Sequence, residues 1–200
     1  MSAPFWNDRY STKGLVYGSA PNEFLVEAAR LFPKQGKAID LGAGEGRNAI
    51  YLASLGLDVL AVDQSEVGLC KAERLAGERG LRIATRAVDL RDFDVEPGSL
   101  DVVSSIFVHL PRELRETVHR RVVGWLRSGG VFVLESYAPE QLHRDTGGPK
   151  NPDMLPPVET MEKELTGLAL VHRASLVRTV IEGDFHSGES AVVQIIGRKP

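Results

Sequence analysis

Four carboxylates and three glycines stand at spacings that chemistry can use. Gly42, Gly44 and Gly46 alternate through AIDLGAGEGRNAIYLA (38–53), with Asp40 before them and Glu45 among them. Asp63 and Asp89 each close a later apolar run, AVD and AVDL. A dinucleotide loop reads G-x-G-x-x-G and sets a pyrophosphate on a helix N-terminus. Here the glycines read G-x-G-x-G, and acids beside a diphosphate would repel it. They suit a ligand that brings positive charge. S-adenosylmethionine (SAM) does so, carrying an ammonium and a sulfonium beside one carboxylate and no phosphate. The acids can face its cationic groups, while loop amides and the helix N-terminus attract the carboxylate. Asp63 can accept both hydroxyls of a ribose, a feature that SAM and NAD share. Asp89 can accept from an adenine amino group while the Leu90 amide donates to a ring nitrogen.

These groups need a scaffold that brings strand ends together, and the hydrophobic pattern supplies one. Strand patterns at 37–41, 58–62, 81–88, 100–108 and 131–137 alternate with helical ones at 45–55, 65–79 and 111–127. That alternation predicts a parallel α/β sheet with helices on both faces. Ahead of it, Pro21 can open a helix over 22–32, after an aromatic and irregular start (Phe5, Trp6, Tyr10, Tyr17). Residues 138–157 are rich in Pro, Gly and charge, a long connector of the kind used for binding loops. A short helix (158–165) and two strand patterns (169–181 and 191–198) follow, close enough to form an antiparallel hairpin.

Composition narrows the function classes. A length of 200 residues suits a single domain. The net charge of −3 gives no electrostatic footprint for a nucleic-acid backbone. The densest basic run, Arg112 to Arg121, reads as a solvated helix face that includes His119. One cysteine, Cys70, forms no intramolecular disulfide and no thiolate cluster for zinc, so no metal is expected. Its helical setting predicts burial. The first fourteen residues lack a signal-peptide pattern, and no apolar run approaches the roughly 20 residues of a membrane helix. The expectation is a cytoplasmic protein without membrane or nucleic-acid partners.

With those residues in view, the chain resembles the class I SAM-dependent methyltransferases. DLGAGEG is similar to their first motif, Asp63 to their ribose acid, Asp89-Leu90 to their adenine clamp, and Ser128-Gly129-Gly130 to the turn before their fifth strand. The resemblance implies a Rossmann-like, doubly wound sheet of seven strands, ordered 3-2-1-4-5-7-6 with the seventh antiparallel. Within the class, GEGRNAIYLA and EGDFHSGESAVVQIIGRK resemble the tellurite-resistance group and its small-molecule relatives. The chain departs from that group at Ala43, where Cys is frequent, and at Ser187, where some members have Arg. The hairpin pattern Glu-Gly-x-x-His implies a place over the active site for Glu182 and His186. The resemblance also implies that residues 1–20 cover the cofactor, with Tyr17 at its methionine end. The expected cofactor set is Tyr17, Asp40, Gly42, Ala43, Gly44, Asn48, Asp63, Gln64, Asp89, Leu90 and Ser105.

Methyl transfer from a sulfonium is an in-line displacement, so the protein mainly aligns the nucleophile and excludes water. A base is needed only when the acceptor arrives protonated. Ser105-Ile106-Phe107-Val108 differs from the Asn/Asp-Pro-Pro-aromatic signature of methyltransferases acting on nucleobase or glutamine amides. His109 and His186 are the candidate catalytic residues. His109 either lines the acceptor pocket or packs at the helix entry, and His186 either serves the site or simply sits in a turn. The expected partner is a small-molecule acceptor: a thiol, a chalcogen oxyanion or a hydroxyl. A SAM-binding sensor without catalysis and a macromolecular acceptor are the alternatives.

Overall fold

A computed structural model describes residues 2–183 and 187–200. Its centre is a seven-stranded sheet in the order β3-β2-β1-β4-β5-β7-β6. The parallel strands are β1 (Lys37–Leu41), β2 (Asp58–Asp63), β3 (Ala84–Ala87), β4 (Leu100–Ile106) and β5 (Leu126–Tyr137). β7 (Ser187–Arg198) runs antiparallel to both β5 and β6 (Ala169–Ile181). Order and direction match the topology that the resemblance implied. β4 is buried along its whole length, as a central strand covered on both faces must be.

Helices α2 (Glu23–Ala28), α3 (Arg47–Ser54), α4 (Glu66–Glu78), α5 (Arg112–Trp125) and α6 (Val158–Glu164) flank the sheet. Two apolar cores result, one containing Phe93, Trp125 and Phe132 and the other Phe24, Leu52 and Val133. Ser65 caps α4 by accepting from the Gly68 amide (3.1 Å), and Asn22 caps α2 from the Leu25 amide (3.0 Å).

Several expectations need correction. The N-terminal segment is not irregular: Ala3–Tyr10 is a helix, α1, with a proline in its first turn where no amide is needed. Cys70 is exposed, because it falls on the outer side of α4 while Leu69 and Ala72 face inward. His119 is buried rather than solvated. Its Nδ1 lies 2.8 Å from Glu164 Oε2, and Arg115 joins the same carboxylate at 3.0 Å. Burial raises the Glu164 pKa, but hydrogen bonds and charge from His119 and Arg115 outweigh it and hold the group below its usual range. The basic run is thus partly spent internally; Arg121 donates to the carbonyls of Leu90, Arg91 and Phe93. The 138–157 connector contains two 3-10 turns, Pro139–His143 and Pro152–Met154. Among the described residues, no helix is long and apolar enough to cross a membrane.

Candidate functional site

The ends of β1, β2 and β4 open onto a cleft of about 670 Å³, where an open α/β sheet usually holds its ligand. Its floor is the glycine loop between β1 and α3. Gly42, Gly44 and Gly46 all have positive φ, and each makes room for a different neighbour. A Cβ at Gly42 would lie 2.6 Å from Val108, at Gly44 2.5 Å from the Tyr10 hydroxyl, and at Gly46 2.4 Å from the Ala72 Cβ. The segment just after β4, helix α1 and helix α4 therefore converge on one turn.

Asp63 borders the cleft at the end of β2, nearly buried. Its two oxygens accept from the amides of Gly44 (2.9 Å) and Ser65 (2.8 Å), which fixes the carboxylate and ties the loop to α4. Burial pushes its pKa up, and those amides oppose the shift. A carboxylate offers about four acceptor positions, so Asp63 keeps capacity for a diol. Asp89 and Leu90 line the same cleft beyond β3; Asp89 accepts from the Arg91 amide (2.9 Å) and guanidinium (2.8 Å). Ala43, Asn48, Gln64, Tyr17 and His109 also line it.

Two expected residues lie elsewhere. Asp40 is buried beneath the loop, where its Oδ1 accepts from the Ser104 hydroxyl (2.6 Å). Burial lifts its pKa to about 7, against the opposing Ser104 hydrogen bond. Ser105 is buried within β4 and does not line the cleft. Glu45 also departs from the charge argument: its oxygens accept from the Val16 amide (2.7 Å) and Lys71 Nζ (2.8 Å). The acid-and-glycine pattern thus marks the turn, but Asp40 and Glu45 do not present free charge to a ligand. Glu45 borders the cleft together with Asp63 and Asp89, but with its charge already paired to Lys71.

Side chains beyond the glycine loop complete the cleft. α1 contributes Phe5, Trp6, Arg9 and Tyr10, with Trp6 stacked on Tyr10 at 5.7 Å between centroids. Arg9 donates to the Tyr17 hydroxyl (3.1 Å), joining α1 to the downstream segment. Trp6 and Tyr10 belong to the 1–20 segment expected to cover the cofactor, whereas no local pattern singles out Arg9. At the opposite rim stand Phe107 to Leu110 and the loop residues Gly147 to Asn151 with Met154. Phe107 has φ +55, an uncommon conformation for an aromatic residue, and its amide donates to the Glu135 carbonyl (2.7 Å). His109 Nε2 accepts from the Tyr137 amide at 3.4 Å, and its ring stacks on Tyr137 at 5.3 Å.

A buried polar network supports the cleft from behind. Glu135 accepts from Arg178 (2.8 and 2.7 Å) and Gln194 (2.7 Å), and Asn22 donates to both Glu135 and Glu182. Glu182 also pairs with Arg47 at the first turn of α3, and Asn48 Oδ1 accepts from the Asn22 amide (2.9 Å). Glu182 is accordingly tied to the cleft wall through Arg47. His186, the other candidate catalytic residue, lies outside the described residues.

SAM fits this donor set: an anchored acceptor for a diol, a glycine turn with positive φ, and Asp89-Leu90 lining the same cleft. Comparison with known proteins agrees. Residues 38–130 match the family model described as a methyltransferase domain. The chain is 27% identical over 131 residues to the "Probable S-adenosyl-L-methionine-dependent methyltransferase TehB" of Haemophilus influenzae, covering 65% of this chain and 43% of that protein. It is 29% identical over 128 residues to the 2-heptyl-1-hydroxyquinolin-4(1H)-one methyltransferase of Mycobacteroides abscessus, covering 62% of this chain and 55% of that one. The chain spans about half the length of the curated relatives it matches. The crystal structure of Haemophilus influenzae TehB superposes with a TM-score of 0.73 at 18% identity, over 99% of this chain and 67% of that one, which speaks for the fold. Residues 38–130 match a methyltransferase domain, and the chain is similar in sequence and in fold to SAM-dependent methyltransferases of the TehB type.

Proposed function

We propose that the protein transfers a methyl group from SAM to a small-molecule nucleophile. The observation that carries this reading is Asp63, anchored by two amides at the cleft edge and directly beside a glycine turn. When bound, SAM supplies a methyl group already activated by the sulfonium. The chain's own work is then to hold, align and exclude water. Asp63 is assigned the ribose hydroxyls, and Asp89 with the Leu90 amide the adenine edge. Gly42, Ala43, Gly44, Gln64 and Asn48 frame the rest of the cofactor, and Tyr17 covers its methionine end. Asp40 and Ser105 serve from beneath, through the loop and β4.

The acceptor enters between α1 and the rim formed by Phe107 to Leu110 and Gly147 to Asn151. His109 borders that rim and is assigned the proton of an acceptor that arrives protonated, which it takes at Nε2 in exchange for the long hydrogen bond from the Tyr137 amide. His186 keeps the candidate role that the hairpin pattern implies. The two relatives support a small-molecule acceptor, since one is named for a hydroxyquinolone. Its chemical identity within the thiol, oxyanion and hydroxyl classes is a matter for assay.

Thermal shift with S-adenosylhomocysteine tests the reading. At a hundredfold excess over Kd, a ligand stabilises the fold by about 2.7 kcal/mol, so the midpoint should rise by several degrees. NAD should leave it unchanged. Asp63→Ala should abolish the response. Stabilisation by NAD alone, or an undiminished response in Asp63→Ala, would sink the assignment.

A further inference from the structure

The acid inside the glycine loop spends both oxygens on other parts of the chain. Lys71 Nζ, which pairs with Glu45, also donates to the carbonyls of Thr12 (2.8 Å) and Gly14 (2.9 Å). An ammonium has three donors, and all three are used. The second Glu45 oxygen takes the Val16 amide. The pair is largely removed from water, with 17% of the Lys71 side chain and 4% of the Glu45 side chain exposed. Residues 12–16 are thereby gripped from two sides, by the glycine loop and by α4.

That grip controls both ends of the segment. Upstream lies α1, which places Trp6, Arg9 and Tyr10 on the cleft; downstream lies Tyr17. α1 buries only Tyr10, so its own apolar packing holds it weakly. Its polar anchors include Asn7, whose Oδ1 accepts from the Ser65 hydroxyl (2.7 Å), and Arg9, which donates to the Tyr17 hydroxyl (3.1 Å).

We propose that Glu45 and Lys71 are positioning residues for cofactor retention. They act through the N-terminal segment, which they hold as one wall of the cleft, and not through the charge of the cofactor. The proposal rests on the SAM reading. It also explains why an acid occupies a loop position where its charge is neutralised by a lysine.

Calorimetry and stopped-flow binding of S-adenosylhomocysteine to Lys71→Met, Lys71→Arg and Glu45→Gln test it. Lys71→Met should raise Kd about tenfold, mainly through faster dissociation, and should also lower the unliganded midpoint, since it leaves Glu45 buried without its partner. Lys71→Arg, which keeps the charge, should stay within about threefold of wild type. In Lys71→Met the emission of Trp6, read against buried Trp125, should shift to the red. Glu45→Gln should weaken binding likewise, and the double variant with Lys71→Met should fall short of the sum of the two, since the singles share the Glu45–Lys71 pair while Val16 and the Thr12 and Gly14 carbonyls are held separately. If wild type binds and both single variants match its Kd and dissociation rate, or if their effects add in full, the proposal is overturned alone. Wild type that binds no S-adenosylhomocysteine overturns the SAM reading and the proposal with it.

Discussion

Asp40 sits under the glycine loop with Oδ1 held by Ser104 and no hydrogen bond of ordinary geometry on Oδ2. Its folded pKa rises from 3.8 to about 7, chiefly through burial. A raised carboxyl pKa stabilises the fold below its unfolded value and loses that contribution as pH climbs through the folded one. Wild-type stability should therefore fall between about pH 4 and pH 7 from this group, on the order of a few kcal/mol. Asp40→Asn lacks that ionisation. Thermal midpoints at pH 5 and pH 8 should show the variant gaining on wild type as pH rises; a constant gap would refute the assignment. At this scale the sequence announced Asp63 and Asp89 clearly, because an acid at a strand end is a local feature. It also suggested that Asp40 and Glu45 would offer charge to the ligand. Side-chain direction decides that, and the partners are distant: Ser104, Lys71 and Val16 lie far along the chain from the acids they meet. His119 was misread for the same reason, since Glu164 stands on another helix.

Most elements were legible because each is written in a short window. β1 and β6 fall where the pattern placed them, and α4 begins at the predicted Ser65 cap. β3 is shorter than its apolar run suggested and β7 longer, since pairing with a neighbour sets strand length. What no window could show is the charged layer joining elements. Glu135 on β5 is fully buried among Arg178 of β6, Gln194 of β7 and the Asn22 cap of α2. Glu135→Ala would leave the Arg178 side chain, 15% exposed, without its principal acceptor. Removing one partner of a buried pair costs about 3–5 kcal/mol. Urea denaturation should show a loss of that order, and a change below about 1 kcal/mol would mean that Glu23 and Glu182 suffice for Arg178.

At the scale of the molecule, the segment that follows β6 meets the N-terminal segment that lines the cleft. Gly183, just past β6, packs so closely on the N-terminal segment that a Cβ there would lie 2.2 Å from the Val16 carbonyl and 2.6 Å from the Tyr17 Cα. Its φ of +73 adds strain for any side chain. Gly183→Ala should push the hairpin end away from Tyr17 and weaken S-adenosylhomocysteine binding several-fold in calorimetry, beyond the roughly 1 kcal/mol a glycine-to-alanine change costs the fold itself at such a φ. Unchanged affinity would show that the hairpin end and the cofactor wall are independent.

The family match covers residues 38–130, which contain the glycine loop, Asp63 and Asp89. Trp6, Tyr17, the loop from Gly147 to Asn151 and Met154 line the same cleft from outside that span. The cleft thus draws on stretches inside that span, Phe107 to Leu110 among them, and on stretches outside it, joined by contacts such as Lys71 with Thr12 and Gly14. Such a division gives natural variation somewhere to work. Insertions or exchanges in the peripheral stretches can remodel what enters the cleft while the donor-holding stretch is inherited intact, so one ancestral scaffold can serve many acceptors.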